Sequence, residues 1–187
     1  MVETGFKSAV DSHIKRKFSW FNSELDLFFE RDVTLPPEKI WRAWTEPDLL
    51  MPWFCPKPWS VTACEIDLRP GGIFSTTMRS PEGQLFPNVG TFLEVVPYKK
   101  LVWTNCLAPG FRPVEPELPS AAGAGSFQFT GMIFLEQIAV GTRYTAAVVH
   151  GSKGHRDIHA GMGFEQGWGI ALDQMIKFLQ GRGSCIE

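Results

Sequence analysis

Three histidines near the end of the chain, His150, His155 and His159, are the first residues whose type and spacing suggest chemistry. His155 and His159 stand four positions apart, a spacing that places two side chains on one face of a helix and suits a pair of metal ligands. No cysteine or carboxylate stands at a motif spacing that would complete the ligand set. Glycines at 151 and 154 and the charged neighbours of this run favour the solvated start of a helix. We therefore predict that the chain holds no metal.

His150 differs from the other two because it ends a predicted strand. There it could titrate near neutral pH or donate a hydrogen bond to a ligand, but a hydrogen-bonded structural role is the commoner one. Tyr144 and Thr76 are further polar groups that we expect to face the interior. Glu165 could reach the mouth of a cavity, although a solvated acid in the first turn of a helix is the default. An enzyme would place at least two of these groups around one point.

A second charged set, Glu65, Asp67 and Arg69, alternates along a predicted strand, so the three side chains share one face. A carboxylate pair that transfers protons needs one carboxyl with a raised pKa, whereas a neighbouring guanidinium lowers the pKa of both. We therefore predict a structural ion pair that holds the Pro-Gly-Gly turn at residues 70–72.

Composition excludes several classes of protein. A formal net charge of −2 without a basic stripe argues against nucleic-acid binding. No stretch approaches the roughly 20 apolar residues of a membrane-spanning helix. Well-separated cysteines without a Cys-x-x-Cys pair or a preceding secretory signal predict reduced thiols in a cytoplasmic protein. Dinucleotide fingerprints, phosphate loops and nucleophile elbows are missing from the sequence, so we predict no cofactor.

The longest predicted element is an amphipathic helix over residues 157–180, after a run of strands. Gly163, Gly167 and Ala171 form a stripe of small residues that would let the helix approach the strands or leave room for a ligand. A helix with an apolar face that follows a set of strands should lie across their sheet. That face repeats at spacings of three and four and consists of Phe164, Trp168, Leu172, Met175 and Leu179.

Strand patterns and turn residues divide the chain ahead of that helix. Residues 1–23 lack a sustained period and are interpreted as a weakly ordered leader, and residues 24–187 as one domain. A first strand at 25–34 is followed by two short helices, one opened by Pro36-Pro37 and one with Thr45 as N-cap. Further strands are predicted at 60–68, 73–79, 89–96, 100–105, 127–137 and 142–150, with an irregular excursion over 107–125.

Alternation along three strands selects the side chains that should face the helix. In the strand at 89–96, alternation does not decide which side chains face inward, because Phe92 and Leu93 are adjacent and both apolar. Short turns between the strands predict an α+β domain in which an antiparallel sheet packs against one long helix. The inward sets are Phe74, Thr76 and Met78; Phe127, Phe129, Ile133 and Leu135; and Tyr144, Ala146, Val148 and His150.

The chain also carries a series of short motifs over about residues 25–180. They are Pro37-Glu-Lys-Ile-Trp-Arg-Ala-Trp-Thr-Glu-Pro47, Trp53-Phe54-x-Pro56, Asp67-Leu-Arg-Pro-Gly-Gly72 with Phe74, Gly90 with Glu94-Val95, Leu101-Val102-Trp103-Thr104, Thr142-Arg143-Tyr144 and Gly163-Phe-Glu-Gln-Gly-Trp168. In this order they resemble the helix-grip (START-like or Bet v 1-like) fold of the SRPBCC superfamily. Within it, they resemble the family named after the C-terminal domain of the activator of Hsp90 ATPase. The resemblance implies a curved antiparallel sheet of six to seven strands wrapped around the C-terminal helix, with a cavity between them.

In many members of that superfamily the cavity takes a lipid, polyketide, hormone or other apolar ligand. We therefore predict non-catalytic binding of a small apolar molecule. A chaperone-accessory module of the stress response is the alternative that the family name suggests, and a cyclase- or hydrolase-like enzyme using His150, Tyr144 or Glu165 is a further one. A homodimer is also compatible with the sequence. The predicted ligand contacts are Trp41, Trp53, Phe74, Thr76, Met78, Trp103, Phe129, Tyr144, Val148, His150, Phe164, Trp168 and Leu172.

Overall fold

The chain folds into an antiparallel sheet and several helices, the longest of which follows the last strand. A computed structural model describes residues 14–115 and 128–182. A helical turn at residues 14–17 precedes the first strand. The elements that follow are β1 (Asp26–Val33), α1 (Pro37–Thr45), α2 (Pro47–Leu50), β2 (Ser60–Ile66), β3 (Ile73–Arg79), β4 (Leu85–Val96), β5 (Lys100–Thr104), β6 (Leu107–Ala108), β7 (Arg112–Pro113), β8 (Phe129–Ile138), β9 (Gly141–His150), α3 (Lys153–Gly161) and α4 (Phe164–Arg182).

Within the described residues, seven strands form one sheet in the order β1-β9-β8-β5-β4-β3-β2. Every neighbouring pair in it is antiparallel. β1 and β2 are the two edge strands, and β6 and β7 form a separate short hairpin. The predicted architecture is confirmed: an α+β fold with two short helices after the first strand and a long helix at the end.

β4, the strand whose inward-facing side chains the sequence leaves undecided, contains a β-bulge. Phe92 pairs with Trp103 and Glu94 pairs with Val102, so Leu93 is the extra residue. The bulge explains the two adjacent apolar positions, because Phe92 is fully buried while Leu93 is partly exposed. β4 also begins earlier than predicted, since it continues to pair with β3 as far as the β3–β4 turn.

Proline sets the start of both short helices. Pro37 is the first residue of α1 and Pro47 is the first residue of α2, positions where a missing N–H breaks no helical hydrogen bond. The prediction of Thr45 as an N-cap is wrong. Thr45 is the last residue of α1, and its hydroxyl donates to the Trp41 carbonyl at 2.9 Å. Glu46 takes the N-cap position of α2 without a side-chain hydrogen bond to the helix.

The single C-terminal helix predicted over residues 157–180 is two helices. α3 ends at Gly161 and α4 begins at Phe164, because Gly163 has a φ of 80°, in the left-handed region that favours glycine. With 19 residues, α4 spans about 28 Å. Its predicted apolar face is confirmed, with Trp168 partly buried and four residues fully inside: Phe164, Leu172, Met175 and Leu179.

Aromatic rings fill much of the space between α4 and the sheet. Gly131 on β8 makes room for one of them, because a Cβ at this position would lie 2.5 Å from the Trp103 indole. The inward sets predicted from alternation on β3, β8 and β9 are buried or partly buried in this core, apart from Phe127, which lies outside the described residues. Trp44 is at its centre, with ring centroids 6.0 Å or less from those of Trp53, Phe54, Trp103 and Trp168.

The face of α4 that carries Gly167 meets the loop after α2. A Cβ at Gly167 would find Pro56 at 4.0 Å as its nearest neighbour. About two turns further along α4, the Gln174 side-chain amide donates to the Trp53 carbonyl at 3.0 Å and to the Cys55 carbonyl at 2.9 Å. The predicted close approach of the small-residue stripe to the strands is therefore wrong at Gly167.

Part of the predicted leader packs on the outer face of the sheet. Ile14, Phe18 and Phe21 are buried against Phe28 of β1 and Phe134 of β8. Residues 14–23 therefore contribute side chains to the packed structure, and the division into a leader and a domain at residue 23 stays a prediction. Residues 1–13 lie outside the described residues, as does the second half of the predicted excursion over 107–125.

Candidate functional site

The residues predicted to contact a ligand separate into two groups. For the larger group the structure shows packing of the side chains with one another, and their contact with a ligand stays a prediction. Thr76 is also buried, whereas Met78, near the end of β3, is partly exposed. The larger group belongs to the main hydrophobic core and consists of Trp41, Trp53, Phe74, Trp103, Tyr144 and Leu172.

The smaller group surrounds the start of α4. Phe129 opens β8, Val148 and His150 lie at the end of β9, and Phe164 and Trp168 lie in the first turns of α4. The rings of Phe164 and Trp168 are 5.6 Å apart, and Val148 packs in the same apolar cluster. Phe129 and Trp168 keep part of their surface exposed. This end of the sheet therefore combines accessible aromatic rings with a polar imidazole.

An open groove of about 770 Å³ lies beside this group, between β1 and the junction of α3 with α4. Phe164 belongs to both the group and the groove wall. Volumes of roughly 300–1,000 Å³ are typical of small-molecule sites, so the groove has the size of a ligand site. The rest of its apolar lining comes from β1, the segment before it and α3: Ile14, Phe21, Leu27, Phe28, Phe29 and Ala160.

Three charged residues line the same groove, namely Asp26, Arg156 and Glu165. Burial raises the pKa of the Asp26 carboxyl, an effect opposed by a 2.7 Å hydrogen bond from the Asn22 N–H. Arg156 pairs with Asp157 through Nη1 at 3.1 Å, but its buried Nε has no hydrogen-bond partner among the described residues. A buried N–H without an acceptor is unfavourable, so this part of Arg156 has an unmet hydrogen-bonding capacity next to the groove. Glu165 is exposed.

His150 and His159 form a hydrogen-bonded pair next to the groove. His150 Nδ1 lies 2.9 Å from the Leu25 carbonyl oxygen, and His150 Nε2 lies 3.1 Å from His159 Nδ1. Because a carbonyl oxygen can only accept, neutral His150 carries its proton on Nδ1 and accepts at Nε2. His159 must then donate from Nδ1, so both tautomers are fixed. The His159 ring also packs against Phe129 and Phe164, with centroids 5.8 and 5.2 Å apart.

Burial disfavours the charged form of both imidazoles. It lowers the pKa of His150, and it lowers the pKa of His159 to about 3, with a further contribution from His150. The predicted solvated helix start is wrong here, because His155 is buried as well and His159 is partly buried. The hydrogen-bonded role favoured for His150 agrees with the structure, and His159 is the partner that the sequence does not identify.

Tyr144 and His150, two of the groups that a cyclase- or hydrolase-like enzyme would use, do not meet at one point. Tyr144 and His150 stand six positions apart on β9, about 20 Å along the strand. Tyr144 is enclosed, and burial raises the pKa of its hydroxyl well above the ordinary value. Burial also raises the pKa of the Cys64 thiol to about 11, which leaves this cysteine protonated at neutral pH. Tyr144 and His150 are therefore too far apart to act together on one group.

The predicted ion pair beside the Pro-Gly-Gly turn is confirmed. Arg69 Nη2 lies 2.8 Å from Asp67 Oδ2, and the Gly72 N–H donates to the Arg69 carbonyl at 2.8 Å. Glu65 is exposed and does not join this pair. Asp67 therefore pairs with Arg69 beside the turn, and it does not form an acid–base couple with Glu65.

Residues 14–115 and 128–182 contain neither a cluster of metal ligands nor a helix that could span a membrane. No three His, Cys, Asp or Glu side chains in these ranges come close enough together to hold a metal ion. No helix in the same part of the chain has the length and apolar character needed to cross a membrane.

Comparison with known proteins identifies the family. Residues 34–180 match the family described as activator of Hsp90 ATPase homolog 1-like protein. The chain belongs to this family. The family assignment confirms the resemblance seen in the motifs, and membership indicates a domain that binds a ligand or acts as an Hsp90 ATPase activator does. No curated protein matches the chain.

Solved structures share the fold of this family member. A crystal structure from Nitrosomonas europaea is 43% identical, with a TM-score of 0.80, and the match covers 88% of this chain and 99% of that one. A Rhodobacter sphaeroides structure is 22% identical, with a TM-score of 0.69 and coverage of 86% and 95%. A Chromobacterium violaceum structure is 22% identical, with a TM-score of 0.63 and coverage of 81% and 95%.

Proposed function

We propose that this protein binds a small apolar molecule, without converting it, in the groove between β1 and the start of α4. The groove itself is the observation that carries the proposal, since its volume of about 770 Å³ is bounded by both sheet and helix. Leu27 and Phe29 supply the wall on β1, and Phe164 supplies the wall on α4. Family membership supports a ligand-binding domain of this kind.

The polar lining suggests the chemistry of the ligand. An apolar body would cover Leu27, Phe29 and Phe164, and one hydrogen-bond acceptor would satisfy the buried Nε of Arg156. A carbonyl, ether or sulfonate oxygen has this capacity. The predicted contacts Phe129, His150 and Trp168 would extend the site from the groove toward the core, and we retain them in the proposal.

The fluorescent probe 1-anilinonaphthalene-8-sulfonate tests the site, because it combines an apolar ring system with acceptor oxygens. We expect saturable binding to the wild-type protein. Ala160→Trp should weaken that binding at least about tenfold, because the indole would occupy the groove that Ala160 lines. Fluorescence titration at constant protein concentration measures the change.

Ala139→Trp is the matched control, since Ala139 is exposed in the turn between β8 and β9 and does not line the groove. It should bind the probe as the wild type does. Thermal melting followed by circular dichroism checks that both variants are folded. If Ala160→Trp bound the probe with wild-type affinity, the groove would not be the binding site.

A chaperone-accessory role is the second candidate, and the family description favours it. In that role the protein would bind the host's Hsp90-type chaperone and raise its rate of ATP hydrolysis. Adding the purified protein to that chaperone should then increase the ATPase rate in a saturable way. An unchanged rate, together with no complex in a pull-down, would remove this candidate and leave ligand binding unaffected.

A further inference from the structure

The outer face of the sheet at its β2 edge presents a patch of small, apolar and charged side chains, here called the β2–β4 patch. The core-facing residues Phe74, Thr76 and Met78 alternate with it along β3. Leu85 and Val89 in the patch are 56% and 49% exposed. The strand registers arrange the patch in three rows: Glu65, Ser75 and Val89; Ala63, Thr77 and Pro87; and Ser60, Arg79 and Leu85.

Opposite charges stand at the two ends of the β2–β4 patch. Glu65 is in the first row and Arg79 is in the third, and both are exposed. Neither forms an ion pair with any residue in 14–115 or 128–182. The middle row between them carries Ala63, Thr77 and Pro87, whose side chains are short. The patch is therefore flat at its centre and charged with opposite sign on either side.

We propose that the β2–β4 patch is the contact surface of a homodimer, with a second copy of this chain as its occupant. A two-fold axis that lies in the interface, perpendicular to the strands and above Thr77, reverses the order of the rows. Each strand then lies over its own copy in the partner, so Val89 faces the partner's Leu85 directly. Glu65 meets the partner's Arg79 diagonally, one strand across, within reach of these two long side chains. The patch is thus complementary to itself in both charge and apolar surface.

The middle row allows two such faces to approach each other. Sheets that pack face to face lie about 10 Å apart, and large side chains on the axis would hold them further away. Thr77, on the axis, would meet the partner's Thr77. The β2–β4 patch consists of three rows across three strands, so each partner buries less than the roughly 800 Å² of a standard interface. The dimer should therefore dissociate on dilution.

Sedimentation velocity of the full chain from about 1 µM to about 1 mM tests the proposal. The mass should rise with concentration from 21.0 kDa toward twice that value. Thr77→Arg, which places two like charges on the axis, should keep the protein monomeric throughout. Glu65→Arg and Arg79→Glu should each weaken the dimer at least about tenfold, and the double exchange should restore it.

Val140→Arg is the control, because Val140 is 73% exposed in the turn between β8 and β9, away from the β2–β4 patch. It adds the same charge and should leave dimerisation unchanged, and a thermal melt confirms that each variant is folded. A wild-type monomer at every concentration would overturn the proposal. So would a dimer that survives Thr77→Arg, since pairing through the free edge of β2 would give that result.

Discussion

The hydrogen bond between His150 and His159 links protonation to folding. In the folded chain burial keeps the pKa of His159 at about 3, whereas an unfolded histidine has a pKa near 6.5. Between these values the unfolded state binds more protons, so the free energy of unfolding decreases as the pH falls. The loss is at most about 1.4 kcal/mol per pH unit for each histidine.

His159→Asn should flatten this acid dependence. The asparagine amide donates from about the position of Nδ1 and does not titrate, so the hydrogen bond to His150 Nε2 is kept. Urea unfolding at pH 7 and at pH 5 measures the difference in unfolding free energy. We expect that difference to be smaller in the variant by about 1–2 kcal/mol. The same difference in both proteins would show that the pair does not control the acid response.

Single residues could be predicted from the sequence where their partners are close in the chain. Asp67 and Arg69 are two positions apart in the turn that directly follows β2, and their pairing follows from this closeness in the chain. His159 could not be paired with His150 in this way, because their contact depends on how α3 folds back over the end of β9. Leu27 and Phe29 show strand alternation, but nothing in their neighbourhood indicates that they face a groove.

The break between α3 and α4 depends on one backbone conformation. Gly163 has a φ of 80°, which other residues adopt at a cost of about 1–2 kcal/mol. Gly163→Ala should therefore lower the free energy of unfolding by about that amount, as measured by urea unfolding. Gly161→Ala is the matched control, because Gly161 lacks a positive φ and its added Cβ would meet nothing within 4 Å. Equal losses in both variants would contradict this explanation.

Elements could be predicted where a local period continues without interruption. β3 agrees with its predicted bounds, since its alternation is regular from Ile73 to Arg79. The sequence predicts one helix across residues 157–180 because glycine permits helical and left-handed backbone alike. The structure shows that Gly163 takes the left-handed form, a choice that the local sequence leaves open. The bulge at Leu93 is hidden for a similar reason, because it depends on pairing with β5.

For the whole molecule, the order of motifs is enough to predict the fold and the family, but it does not measure free volume. A count of aromatic residues is compatible with either a lined cavity or a filled core. The rings of Trp53 and Trp103 pack around Trp44, a contact that only the assembled elements reveal. The groove beside β1 likewise depends on elements from opposite ends of the chain.

The groove and the β2–β4 patch lie at opposite edges of the sheet, since β1 and β2 are the first and last strands in its order. Ligand binding at one edge would therefore leave the other edge free for a second copy of the chain. The two proposals can be separated in one preparation, because probe binding should be unchanged by Thr77→Arg while dimerisation should be unchanged by Ala160→Trp.

Trp168 lies nearly parallel to Trp44, at an angle of 22° and with 6.0 Å between ring centroids, and it also contacts Phe164 in the groove wall. Indoles held in such fixed packing contribute to the near-ultraviolet circular dichroism spectrum of the folded protein. A molecule that displaces the Phe164 ring would shift Trp168 and change that signal. The protein therefore contains an internal optical reporter, which can register occupancy of the groove without any added label.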